Sequence, residues 1–427
     1  VLNKKAVEYS VAVGLALNCK ISRWSKMDRK NYFYPDLPKN YQISQYDLPL
    51  CYEGHLDVQV NGEMKRIGIT RAHLEEDTAS NTHALGGGMS GVDFNRAGIP
   101  LLEIVTEPDI HSADEAYAYL TTLKQMLEYM GVSDCNMEEG SLRAEANISV
   151  RPKGTTELGT KTEVKNVASF TGTQKAIEYE LKRQVKVLKE GGTLVQETRG
   201  WDADRGITFS QRTKESAHDY RYFPDPDLMP IVISEAWEQE IAAGLPEMPQ
   251  VRRKRFEDQY GIPEYDAGVL TATRAMADYF EDVVRAGTDA KKAGNWIMGD
   301  LQAMLVEANQ EIDTCKVAPA HLAAMIKMIE DGTISGKIGK EVLAEMFANG
   351  GNPDAIVEAK GLVQISDSSA LEEVVKEVLA NNPDQAQQFR DGNEKVIGYF
   401  MGQVMKATQG KANPKLVTDI LRKQLNA

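Results

Sequence analysis

The polar block from Arg71 to Glu103 holds the densest set of groups able to do chemistry. In RAHLEEDTASNTHALGGG, His73, Glu75, Glu76 and Asp77 fall within five residues at a predicted strand end. Carboxylate oxygens of this kind suit a hard cation such as Mg2+. Along an extended strand His73, Glu75 and Asp77 share one face and Glu76 takes the other, so one ion cannot meet every group without a bend. A solvated acidic turn is the alternative. Downstream, Glu103 interrupts the apolar run GIPLLEIV. An acid in a buried strand is costly unless it is paired or metal-bound. The open face of an edge strand would also accommodate it.

A second cluster lies in MEEGSLRAEANISVRP, where Glu138, Glu139, Arg143, Glu145 and Asn147 surround Gly140. Arg143 and Glu145 can share a strand face and hold a phosphate beside a metal, or simply pair internally. Lys161 and Lys165 in KTEVKN can meet phosphate or RNA backbone, or form a solvated strand face. The run GGGMSG at 86–91 reads as a mobile loop able to close over substrate. It lacks the lysine of a phosphate-binding P-loop, and no dinucleotide fingerprint or serine-hydrolase elbow occurs in the chain. Local motifs thus lead to a metal-assisted, phosphate-handling enzyme joined to a helical module.

The elements that must position these groups are of two kinds. YQISQYDLPL, HLDVQVNG and KRIGITRAHL alternate as half-buried strands, and Asn61-Gly62 marks a hairpin. Ser112 with Glu115 forms a capping box for a helix that Gly131 should end. A second helix is predicted over 173–190, with Ile177, Leu181, Val185 and Leu188 as its buried face. ANISVRP, KTEVKNV, TLVQETRGWD and GITFSQRT add strands. The fold class is therefore α+β, with a mixed, largely antiparallel sheet over 1–240. Helical periodicity then dominates, as a linker or bundle over 241–294 and a helical domain over 295–427. In the last helix Asn413 is the N-cap, Pro414 the first turn, and Val417, Ile420, Leu421 and Leu425 the buried face.

Composition narrows the classes. The chain of 427 residues is long enough for two or three domains. A net charge of -14 argues against generic nucleic-acid binding, although the end is basic: Lys395, Lys406, Lys411, Lys415, Arg422 and Lys423 stand against Asp419. Cys19, Cys51, Cys135 and Cys315 form no CxxC pair, which excludes a zinc knuckle and suits a reducing compartment. No apolar run reaches about 18 residues, so no membrane association is expected. The opening VLNKKAVEYSVAVGLAL already reads as helix, and residues upstream of it are expected to be absent.

VDFNRAGIPLLEIVTEPD, DRKNYFYPDLPKNYQISQYDLPL, MEEGSLRAEANISVRP and EVKNVASF together resemble the B subunit family of aspartyl/glutamyl-tRNA amidotransferases, in order and over essentially the whole chain. The resemblance implies a cradle-shaped catalytic domain, a helical bundle and a YqeY-like tail that contacts tRNA. It implies ATP-dependent phosphorylation of the side-chain carboxylate of Glu-tRNA(Gln) or Asp-tRNA(Asn) in the cytoplasm. Ammonia from an A subunit then displaces phosphate, and a small C subunit wraps the other two. The family's Mg2+ glutamates match Glu76 and Glu103. Its histidine ligand belongs to an upstream strand that this chain lacks, and His73 does not match it. Lys30 matches the family lysine, with Arg143 and Lys165 as further contacts to ATP phosphates. Glu145 stands where an RCDAN run usually has aspartate; RAEAN keeps the charge and lengthens its reach, so Lys30, Arg143 and Glu145 form the implied catalytic set. Two other readings stand beside this one: a tRNA-binding scaffold subunit without chemistry, and a metallohydrolase that does not require tRNA.

Overall fold

The computed structural model describes residues 2–82, 91–213, 219–363, 368–408 and 410–426. All but the last residue of the run expected to close over substrate, 86–91, lies outside them. The chain divides into two compact units, Val1–Met248 and Pro249–Ala427.

The first unit opens with helix α1 (Lys4–Ala16), capped by the Asn3 side chain. Short strands β1 (Lys20–Ile21), β2 (Trp24–Ser25), β3 (Asp28–Asn31) and β4 (Tyr41–Ser44) follow. The long hairpin β5 (Cys51–Val60) and β6 (Glu63–Glu76) turns at Asn61-Gly62. Both turn residues have positive φ, 51° and 86°, as the two-residue turn that matches strand twist requires. Next come β7 (Ser80–Thr82), β8 (Gly91–Asp93) and β9 (Pro100–Thr106). The main sheet runs β1-β5-β6-β9, antiparallel throughout, with β9 at its edge.

Ser112 caps helix α2 (Ala113–Tyr129), its Oγ accepting from the Glu115 N–H at 3.1 Å, but the Glu115 carboxylate accepts from the His111 N–H at 2.6 Å rather than closing the expected box; Gly131 follows the helix with φ 65°. A second sheet joins β10 (Ala146–Ile148), β11 (Thr162–Lys165), β12 (Glu197–Asp202) and β13 (Ile207–Thr213) in that order, and its β11–β12 ladder is parallel. Helix α3 (Phe170–Lys189) sits between β11 and β12 in the chain. Two further strands, β14 (Phe223–Pro224) and β15 (Ile231–Val232), pair with β3 and β2. Helix α4 (Glu235–Ala243) brings Trp237 and Ile241 against the core that α1 and the main sheet share, and Met248 joins it. The first unit therefore reaches past residue 240.

Two expectations are corrected. Arg143 and Glu145 do not share a strand face, because β10 begins only at Ala146. On α3, Val185 and Leu188 remain 39% and 46% exposed, while Thr173, Glu180 and Gln184 are buried. Glu180 supplies the reason: it accepts from Arg183, Gln184 and Thr208, so a polar network occupies the buried face.

The second unit is helical. One apolar core runs from Phe256 to Val357, so residues on both sides of 294 share it. Another runs from Leu371 to Leu425. In the last helix, Pro414–Leu425, Asn413 Oδ1 accepts from the Lys415 and Leu416 N–H groups, and the four expected apolar residues are buried. No described helix is long and apolar enough to cross a membrane.

Candidate active site

The site is made by an irregularity in β6. Ile67 and Ile69 point into the core, yet further along Ala72 and Leu74 do so. The apolar phase changes from odd to even because the register with β9 slips between Ile69 and Arg71. Thr70 is the extra residue of this bulge, and one extra residue exchanges the two faces of everything beyond it. Arg71, His73 and Glu75 are thereby carried away from the apolar core, where burying them would cost several kcal/mol. A regular strand with this sequence would have pushed all three into that core.

On β9, Glu103 stands directly opposite His73. His73 Nε2 lies 3.9 Å from Glu75 Oε2 and 3.8 Å from Glu103 Oε2, and the three groups can gather around one point. His73 Nδ1 accepts from Arg71 Nε at 3.3 Å, which leaves Nε2 to carry the proton and turns it to the carboxylates. Arg71 is itself fixed, donating to the Gln45 and Tyr46 carbonyls at 2.5 and 2.6 Å. Burial, with the positive Arg71 and Lys30 nearby, pushes the His73 imidazole down to about 3, so it is neutral. Burial and the Glu103 charge push the Glu75 carboxyl up to about 7, against the pull of Lys30 and of Ser44, whose hydroxyl is 3.4 Å away.

Glu76 lies elsewhere. Its Oε1 accepts from the Ile43 N–H at 2.8 Å and pairs with Lys39. The structure thus puts Glu75, not Glu76, beside Glu103. The alternation of the strand already separated Glu76 from His73; matching by motif alone could not choose between adjacent glutamates. Lys30 on β3 rests against the Tyr220 ring, 5.1 Å from its centroid, within electrostatic reach of His73 and Glu75.

The other expected residues form two neighbouring sets. Asp77, buried just past β6, accepts two bonds from Arg143 at 3.1 and 2.8 Å and one from Arg96 at 3.1 Å. Glu145 pairs with Lys165 at 3.0 Å, and Glu163 joins from 3.3 Å. Burial lowers the Lys165 ammonium, but these two carboxylates outweigh it and hold the group above its ordinary value.

The donor set fits a hard cation. Among the described residues, two carboxylates converge without a permanent positive partner at hydrogen-bond distance, and Mg2+ commonly takes one or two protein carboxylates with water or phosphate. His73 Nε2 stands beyond hydrogen-bond distance of both carboxylates and belongs to the same group of potential ligands.

The family "GatB/GatE catalytic domain" matches residues 1–239, and "GatB domain" matches 278–425. The aspartyl/glutamyl-tRNA(Asn/Gln) amidotransferase B subunit of Thermoanaerobacter pseudethanolicus is 55% identical over 426 residues, 100% of this chain and 90% of that protein. The protein of the same name from Geobacter sulfurreducens is 56% identical over 429 residues, covering 100% of this chain and 89% of the relative. Matches of this extent, over both the sheet unit and the helical unit, place the chain in the B subunit family of aspartyl/glutamyl-tRNA amidotransferases.

Proposed function

We propose that this chain is the subunit of a tRNA-dependent amidotransferase that activates the side-chain carboxylate of Glu-tRNA(Gln) or Asp-tRNA(Asn) as an acyl phosphate. A carboxylate resists ammonia because an oxide leaving group is too basic. In the first step a carboxylate oxygen forms a bond to the γ-phosphorus of ATP, and ADP departs. Ammonia then forms the C–N bond, phosphate leaves with the former carboxylate oxygen, and loss of a proton gives the amide. The A subunit supplies ammonia and a C subunit completes the assembly.

The observation that carries this reading is the Glu75–Glu103 pair on adjacent strands, with Glu75 half-buried and short of partners. Glu75 and Glu103 would hold Mg2+, which supplies charge neutralisation to the transferring phosphoryl group. Lys30 lies on the same side to meet phosphate oxygens. Arg143, which shares Asp77 with Arg96, is a preorganised cation for the remaining negative charge, whereas Lys165 would have to give up Glu145 or Glu163 to meet phosphate. His73 Nε2 faces both carboxylates from 3.8 and 3.9 Å and completes the polar wall of the site.

The test is transfer of labelled γ-phosphate to Glu-tRNA(Gln) by the assembled enzyme. Glu75→Gln and Glu103→Gln should each lower it by about 100-fold or more, as removal of a transition-state contact does. Glu76→Gln should retain it. Full transfer by both Glu75→Gln and Glu103→Gln would leave only a tRNA-binding scaffold role.

A further inference from the structure

Beside the acid pair stands a group of tyrosines that the phosphate chemistry does not use. Tyr46 and Tyr222 stack in parallel, with ring centroids 4.3 Å apart and planes 8° apart. Tyr220 meets Tyr222 edge-on at 6.0 Å, and Tyr32 meets Tyr220 edge-on at 6.1 Å. Tyr222 covers one face of the Tyr46 ring, yet Tyr46 remains 56% exposed. A large aromatic ring left this open, with its rear face supported, is a platform rather than a core residue.

Its position ties it to the site. Arg71 donates to the Tyr46 carbonyl and to His73 Nδ1, and His73 faces both Glu75 and Glu103. Lys30 leans on the rings of Tyr220 and Tyr32, at 5.1 and 6.0 Å. Carboxylates for a cation, a lysine for phosphate and a flat open ring are the three surfaces of a nucleotide: metal, phosphate and base.

We propose that the open face of Tyr46, backed by Tyr222, stacks the adenine ring of a nucleotide whose phosphates or ester reach the Glu75–Glu103 pair. This rests on the phosphorylation reading above. Adenine has two sources there, ATP and the 3′-terminal adenosine that carries the amino acid. Stacking on an aromatic ring is sequence-tolerant and strong enough to position either.

The experiment measures binding to the full chain, with Mg2+, of ATP and of 3′-glutamylamido-adenosine. Tripolyphosphate and 3′-glutamylamido-ribose are their base-free counterparts. Tyr46→Ala should weaken one adenine ligand by about 5- to 150-fold and leave its base-free counterpart unchanged. Tyr46→Phe and Tyr46→Trp, which keep the flat face, should stay near wild type. The ligand that loses affinity identifies the source of the adenine. Unchanged affinity for both adenine ligands in Tyr46→Ala overturns the platform alone. So does an equal loss with the base-free compounds, or a loss in Tyr46→Phe as large as in Tyr46→Ala. A wild-type chain that binds neither ATP nor tripolyphosphate overturns the platform and the phosphorylation reading together.

Discussion

Glu75 and Glu180 are acids withdrawn from solvent in the sheet-bearing unit, the first partly and the second fully, and they are treated in opposite ways. Glu180, fully buried on α3, accepts from Arg183 at 2.9 and 2.5 Å, from Gln184 at 3.0 Å and from Thr208 at 3.0 Å. Arg199 approaches to 3.6 Å and also pairs with Glu197 at 2.7 Å. Burial alone would raise the Glu180 carboxyl, but these donors hold it below its ordinary value. Among the described residues Glu75 has only the Ser44 hydroxyl at hydrogen-bond distance, 3.4 Å, with a second acid nearby and a carboxyl pushed up to about 7. A saturated buried charge orders the fold. An unsaturated one is a cost that folding does not repay, and such costs mark sites awaiting a ligand.

The contrast can be broken from either side. Glu180→Ala removes the partner of Arg183 and leaves Gln184 and Thr208 without theirs, while Arg199 keeps Glu197, and it should destabilise the protein by about 2–4 kcal/mol, measured by urea unfolding. Glu103→Gln should leave stability nearly unchanged, since Glu103 lies on the exposed edge strand, yet lower amide formation by about 100-fold or more. A large loss of stability in Glu103→Gln, or an intact fold in Glu180→Ala, would erase the distinction.

Acidity sharpens it. The folded Glu75 carboxyl sits near 7, above its ordinary value of 4.5, so the unfolded chain releases this proton first. Stability of the metal-free protein should therefore fall as pH rises from about 4.5 through about 7. Glu75→Gln should remove that slope and stabilise the metal-free protein at pH 8 by about 2–3 kcal/mol. Glu180 runs the other way: its contribution is present above its unfolded value and is lost as pH falls through the folded one. The smallest effect belongs to Ser44→Ala. It removes the hydroxyl 3.4 Å from Glu75 and should change stability by less than about 1 kcal/mol while moving the pH slope slightly upward.

Much of this was legible in the residues. The hairpin at Asn61-Gly62 and the caps at Ser112 and Asn413 are local signals satisfied within a few residues, so sequence suffices for them. Glu103 was conspicuous as an acid in an apolar run. The bulge was also written, in the shift from Ile67 and Ile69 to Ala72 and Leu74, but a phase change is visible only once the core face is known. The network at Glu180 was missed because Arg199 and Thr208 arrive from strands beyond the helix, and no periodicity on α3 announces them. For the same reason the apolar stripe chose Val185 and Leu188, which stay exposed. Choosing Glu75 over Glu76 needed the pairing of β6 with β9 and the contact of Glu76 with Ile43, both non-local.

The central claim is that Glu75 and Glu103 together form the cation site. Binding of Mn2+, as a paramagnetic stand-in for Mg2+, can be followed by electron paramagnetic resonance on the full chain at pH 8. Wild type and Glu76→Gln should show the same site, and Glu75→Gln and Glu103→Gln should each lose it by about tenfold or more in affinity. Loss in Glu76→Gln with retention in Glu75→Gln would contradict the account.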